Sequence, residues 1–97
     1  MIDVVRVDGP RVSFACPGCK SKHTILTYYD RGSGPTWKWN GKKDRPTFTP
    51  SILVTGVDLE DDERYVCHSF VTDGQIRFLN DCTHDMAGQT VHLEAAK

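Results

Sequence analysis

A chain of 97 residues with a formal net charge of −1 and a pI near 6.4 carries no global field that would recruit nucleic acid or an anionic membrane. No apolar run approaches the ~20 residues that a membrane-spanning helix needs. The length predicts one domain over residues 1–97, whose folding buries roughly 60–65% of its unfolded surface, so a staple would strengthen a modest core.

Short alternating runs dominate, and helical periodicity is scarce. "DVVRV" and "RVSFA", separated by Asp8-Gly9-Pro10, read as two strands around a tight turn. "HTILTYY" reads as a third strand, and "DRGSGP" (30–35) as a loop rich in turn residues. "TWKW" alternates and runs into Asn40-Gly41, a hairpin signal. "TFTPSILVTGV" is extended, with Pro50 favouring an edge or a bend. "DLEDDE" (58–63) reads as a solvated acidic loop. "RYVCHSFV", "TDGQ" and "IRFLND" form a β-hairpin around Asp73-Gly74. A two-residue turn there sets Ser69 opposite Phe78 and His68 opposite Leu79. Cys67, Ser69, Val71, Ile76 and Phe78 then share one face, and His68, Phe70, Arg77, Leu79 and Asp81 share the other. Asp81 or Thr83 can cap a short helix over "CTHDMA", closed by Gly88. "QTVHLEA" returns to extended chain. The fold class is mostly β: a small antiparallel sheet domain with one short helix and a zinc knuckle.

The start of the chain lacks the basic residues and long apolar run of a signal peptide, so the expected compartment is the cytoplasm. Thiols stay reduced there, and four cysteines point to metal or chemistry before disulfides. Two disulfides in a secreted domain are the competing reading. Cys16-Pro17-Gly18-Cys19 is a C-x-x-C turn that offers half of a tetrahedral zinc site. It leads into a strand, which disfavours a thioredoxin-like redox pair. The remaining ligands come from His23, Cys67, His68, Cys82, His84 and His92. Cys16, Cys19, His23 and Cys67 form the preferred set, with His68, His84 or Cys82 as replacements for His23. Cys67 would tie the N-terminal turn to the central hairpin, and metal-binding energy would become folding energy. His92 reads as a surface histidine.

Cys82 admits three roles: ligand, nucleophile or buried filler. At the start of a helix it would meet free N–H groups that favour a thiolate and could act as an oxyanion hole. His84 or His68 would serve as its base, with Asp81 orienting the base.

Together "FACPGCKSKHTI", "WKWNGKKDRPTFTPSILV" and "CHSFVTDGQIRFLNDCTHDMAGQTV" resemble a family of small phage and prophage proteins, over most of residues 14–91. Its members often carry an "ammonia monooxygenase" label, which neither a membrane span nor a copper-type ligand cluster supports in this sequence. The family pattern around Cys82 is similar to Asp-(Cys or Ser)-Thr-His. The resemblance implies a nucleophile at Cys82, because a serine hydroxyl is a poor zinc ligand. Some members accompany bacterial ubiquitin-like conjugation genes and are regarded as peptidases that process or remove the modifier. The resemblance is carried here by the Cys82–His84 motif and the Cys67-His68 pair.

Trp37 and Trp39 share one sheet face beside Lys42, Lys43 and Arg45. That pattern suits base stacking, a core-facing pair beside a solvated loop, or a groove for an extended peptide. Ser69 in "CHSF" and Ser51 in "TPSI" are further candidate nucleophiles, but neither has a convincing partner in the sequence, and both read as structural. The expected function is a peptidase or isopeptidase-type hydrolase with a Cys nucleophile and structural zinc. It would act on a protein or peptide, possible substrates including a ubiquitin-like modifier. The alternatives are a zinc-stapled phage module that binds a host protein, such as a defence component, and a metal-catalysed hydrolase.

Overall fold

A computed structural model describes residues 2–27, 36–58 and 63–96. Tyr28, Tyr29, the 30–35 loop and the four acidic-loop residues 59–62 lie outside the described residues. Eight strands order as β1 (Arg6–Asp8), β2 (Arg11–Cys16), β3 (Ser21–Leu26), β4 (Lys38–Trp39), β5 (Phe48–Asp58), β6 (Glu63–Thr72), β7 (Gln75–Phe78) and β8 (Thr90–His92). They build two antiparallel sheets, β1-β2-β3 and β4-β5-β6-β7-β8, each with neighbours in chain order.

Alternation decides which residues the sheets bury between them. From the first sheet come Val12, Phe14, Cys16, His23 and Ile25; from the second, Phe48, Ile52, Cys67, Val71, Ile76 and Phe78. Phe14 stacks on Phe48 at 6.0 Å across the two sheets, with ring planes 20° apart. Val4 and Val5 precede the first strand, yet both are buried. Val4 N–H is satisfied by Lys43 O at 2.8 Å rather than by a strand partner.

The β6–β7 hairpin takes the register that its turn demands, with Ser69 opposite Phe78 and Thr72 opposite Gln75. Asp73 and Gly74 sit at φ 51° and 81°, the two left-handed residues of a type I′ turn. A Cβ on Gly74 would also lie 3.3 Å from both Arg45 Cα and Asp44 O. Gly74→Ala is therefore expected to cost about 1–2 kcal/mol. The check is a urea titration in which the midpoint falls and the slope is unchanged.

Two expectations need correction. The connection after Asn40-Gly41 is no tight hairpin: Asn40 N–H bonds Thr47 O, and β5 begins only at Phe48. The Asn40 side chain spans that loop by donating to Arg45 O and accepting from Lys42 N–H. The helix expected over "CTHDMA" is also absent, and the described residues contain no helix at all. Successive turns replace it. Thr83 N–H reaches back to Val66 O at 2.9 Å, and its hydroxyl accepts from Val66 N–H at 3.0 Å. The chain after β7 thus spends its polar groups on the flank of β6, which outcompetes a one-turn helix. Pro50 does mark a bend, because the β5–β6 register shifts between Phe48 and Ile52. Among the described residues no helix is long and apolar enough to cross a membrane.

Candidate active site and metal centre

The cysteine–histidine cluster begins with the C-x-x-C turn at the end of β2. Cys19 N–H points at Cys16 Sγ (3.4 Å), and Lys20 N–H closes the turn on Cys16 O at 2.9 Å. Lys20 takes the left-handed conformation, φ 57°. Residue alternation turns Cys67 of β6 inward to meet this turn. Cys16 Sγ and Cys67 Sγ are 3.8 Å apart, close to the edge of a tetrahedron with zinc–sulfur bonds of about 2.3 Å. A ring nitrogen of His23 and the sulfurs of Cys16, Cys19 and Cys67 all lie within 4.8 Å of one another.

Two further observations fit a cation at this point. His23 Nε2 is buried without a hydrogen-bond partner, which is costly unless something coordinates it. The thiols also divide one proton deficit among themselves. The hydrogen bond from Cys67 holds Cys16 down to about 3 against the opposing effect of burial. Burial, reinforced by the neighbouring Cys16 thiolate, pushes Cys19 up to about 11. Cys67 is raised as well, chiefly by donating to Cys16 and then by burial. A divalent ion would replace those protons. All four cysteines are free, so the disulfide reading has no support in the structure. The cluster can hold a metal ion, and it would then join one sheet to the other.

Cys67 also belongs to a second group, with Cys82 and His84, whose ligand atoms lie within 4.8 Å of one another. The His84 ring stands edge-on to Phe78 at 4.6 Å, and its Nδ1 accepts from Met86 N–H. It rests against the bare α-carbon of Gly18, where any side chain would collide with it. His84 therefore faces the side of the sheet that carries the C-x-x-C turn. His92 is exposed on β8.

Cys82 is buried, but not beside the imidazole of His68. Its sulfur accepts from His68 N–H and donates to His68 C=O, both at 3.2 Å. Without the helix there is no row of free N–H groups at Cys82 either: Cys82 N–H bonds Leu79 O and Thr83 N–H bonds Val66 O. The activation expected from a helix start is therefore missing.

The His68 ring is engaged by two other residues. Nδ1 lies 3.0 Å from Asp81 Oδ2, and Nε2 lies 3.1 Å from Ser51 Oγ. An ionised carboxylate only accepts, so Nδ1 carries the proton and Nε2 is left to accept from the Ser51 hydroxyl. This is the order nucleophile, base, orienting acid. The His68 side chain is 25% exposed and that of Asp81 55%, so the pair orients the ring more than it stabilises the fold. Ser51 lies in the register shift at the start of β5, and its carbonyl accepts from Trp37 Nε1–H at 3.2 Å. His68 and Asp81 share a face, as alternation in the hairpin predicts.

Ser51 is a candidate nucleophile that reads as structural in the sequence, for want of a visible partner. Its partner is 17 positions away on the neighbouring strand, and the sequence between β5 and β6 carries no register-fixing turn signal. The one local hint is Pro50, which marks the irregularity where Ser51 sits. Ser69, the other serine considered, is buried with its hydroxyl unpartnered, on the face away from the His68 ring.

No curated protein and no solved structure gives a significant match to this chain. A family model matches residues 2–79, a stretch that contains Ser51 and His68 and stops two residues before Asp81. The family is described as a bacterial ubiquitination-like system serine protease, in line with the resemblance drawn from the sequence motifs. With most of its length matched, the chain belongs to the BubE family.

Proposed function

We propose that this protein is a serine peptidase in which Ser51 is the nucleophile, His68 the general base and Asp81 the residue that orients the base. The observation that carries the reading is the pair of contacts on one imidazole, 3.1 Å to Ser51 Oγ and 3.0 Å to Asp81 Oδ2. Ser51 attacks the substrate carbonyl while His68 Nε2 takes its proton. His68 then returns that proton to the departing amine. Water repeats the sequence in reverse on the acyl-serine ester, with His68 again as base. Ser51 replaces Cys82 in this scheme, because Cys82 engages the backbone of His68 and not its ring.

The family description supports a protein substrate within a ubiquitin-like system, and we place the scissile bond in the tail of such a modifier. The triad lies on the open face of the larger sheet, where Leu53, Val57 and Phe70 are exposed. Beside Phe70 is a groove of about 580 Å³ that continues over Thr72, Gln75, Arg77 and Thr90. An open apolar face with such a groove suits an extended peptide better than a small molecule.

Zinc is the metal we assign to Cys16, Cys19, His23 and Cys67, from the soft donor set and the sulfur spacing. A closed four-ligand site supplies structure, and no catalytic step passes through it. The protein substrate and a cytoplasmic location are parts of the same reading.

The test is labelling with a fluorophosphonate, which reacts with base-activated serines. The expected result is one adduct per chain, located on Ser51 by peptide mapping and lost in His68→Ala. An adduct on another residue, or none, refutes the triad.

A further inference from the structure

The sulfur of Cys82 closes an open strand edge. Strand β7 ends at Phe78, so the β6 backbone from Val66 to His68 has no strand partner on that side. Side chains from the following turn fill the gap. Thr83 takes both polar groups of Val66, and Cys82 Sγ takes both the N–H and the C=O of His68. Leu79 N–H adds a third contact, to His68 O at 2.9 Å. The residue before Cys82 is Asp81, whose carboxylate meets the His68 ring on the opposite face. One side chain thus fixes the backbone of His68 and, through the chain, the position of Asp81.

We infer that Cys82 is a positioning residue for the Ser51–His68–Asp81 set, a role that rests on the serine-peptidase reading above. A sulfhydryl is one of the few short groups that can accept from an N–H and donate to a C=O at once. A serine hydroxyl can do the same, whereas alanine can do neither and leaves His68 N–H without its partner. The side chain touches no reacting atom, so its loss slows the chemical step without weakening capture of a ligand. Geometry, not nucleophilicity, is what the position requires.

The experiment measures the fluorophosphonate reaction at Ser51 in the full metal-loaded chain, separating the maximal labelling rate from the concentration for half-maximal rate. Cys82→Ala is expected to lower the maximal rate by about tenfold or more, since a displacement of about 1 Å in a catalytic group costs up to ~10²-fold. The half-maximal concentration stays within about twofold of the parent, on the same argument that only positioning is lost. Cys82→Ser keeps most of the parental rate together with the parental metal content. A low-field proton signal from His68 Nδ1–H is retained in the serine variant and lost in the alanine variant. Should Cys82→Ala fail to fold, Cys82→Val fills the space without a hydrogen bond and is expected to show the same loss. Parental labelling in the alanine or valine variant overturns the inference alone. Metal loss in Cys82→Ser overturns it in favour of a ligand role. Failure of the parent to label at Ser51 removes the serine-peptidase reading, and the inference falls with it.

Discussion

Ser51→Ala is expected to lower kcat by about 10³-fold or more, and to leave the fold and the metal in place. The magnitude follows from what triads lose when the nucleophile is removed, with only binding and residual electrostatics left. The substitution deletes one oxygen from a half-buried position and keeps the Ser51 carbonyl that Trp37 holds, so stability should move by less than about 1 kcal/mol. His68→Ala should cost a similar factor, and the double variant little more, because residues that act as a unit are not additive. The measurement is single-turnover cleavage of a ubiquitin-like modifier that carries a C-terminal extension, with thermal melts and elemental analysis alongside. Cys82→Ala should fall well short of Ser51→Ala. The reverse ranking would return the nucleophile to Cys82 and retire the triad.

Removal of the metal is expected to unfold the protein, and Cys67→Ala should do the same. Cys16 and Cys67 are 51 residues apart and come from different sheets, so the ion would cross-link the two halves of the core. Structural zinc contributes about 10–16 kcal/mol in small zinc-dependent domains, while a whole domain of this kind is stable by about 5–15 kcal/mol. A metal bound there would thus be worth as much as the entire margin. Chelation should abolish the cooperative melt, and restoring zinc should bring it back. A chelated protein with an unchanged melting temperature would show that the cluster is not a staple.

The same site has a signed dependence on pH. Cys16 already favours the thiolate, being held down to about 3 by its hydrogen bond from Cys67. Cys19, pushed up to about 11 by burial, and Cys67, also raised, are protonated thiols near neutrality in the absence of metal. Metal binding must expel those protons, about two per ion, so affinity weakens as pH falls. Calorimetry in buffers of different ionisation enthalpy counts them directly.

How much of this was legible in the residues differs from element to element. The β6–β7 register could be read because Asp73-Gly74 permits one turn geometry, and a two-residue turn fixes every pair beyond it. From that register alone it follows that Cys67 faces the core while His68 and Asp81 face out together. Cys16, Cys19, His23 and Cys67 come within ligand distance of one another, a group that could hold a metal ion. The short helix misled, because local capping signals say nothing about a competing strand edge. That edge belongs to β6 at Val66 and His68, and Thr83 and Cys82 satisfy it.

The β class, the central hairpin and the pool of soft donors can be read from the residues, since each depends on alternation, turn chemistry or ligand type within short spans. Which hydroxyl or thiol meets the base follows from long-range strand pairing. The β5–β6 pairing has no turn signal to fix it, and the irregularity at Pro50 alters which residue lies beside His68. A contact across two strands depends on that register to the residue, and one step of slip would turn Ser51 to the other side of the sheet.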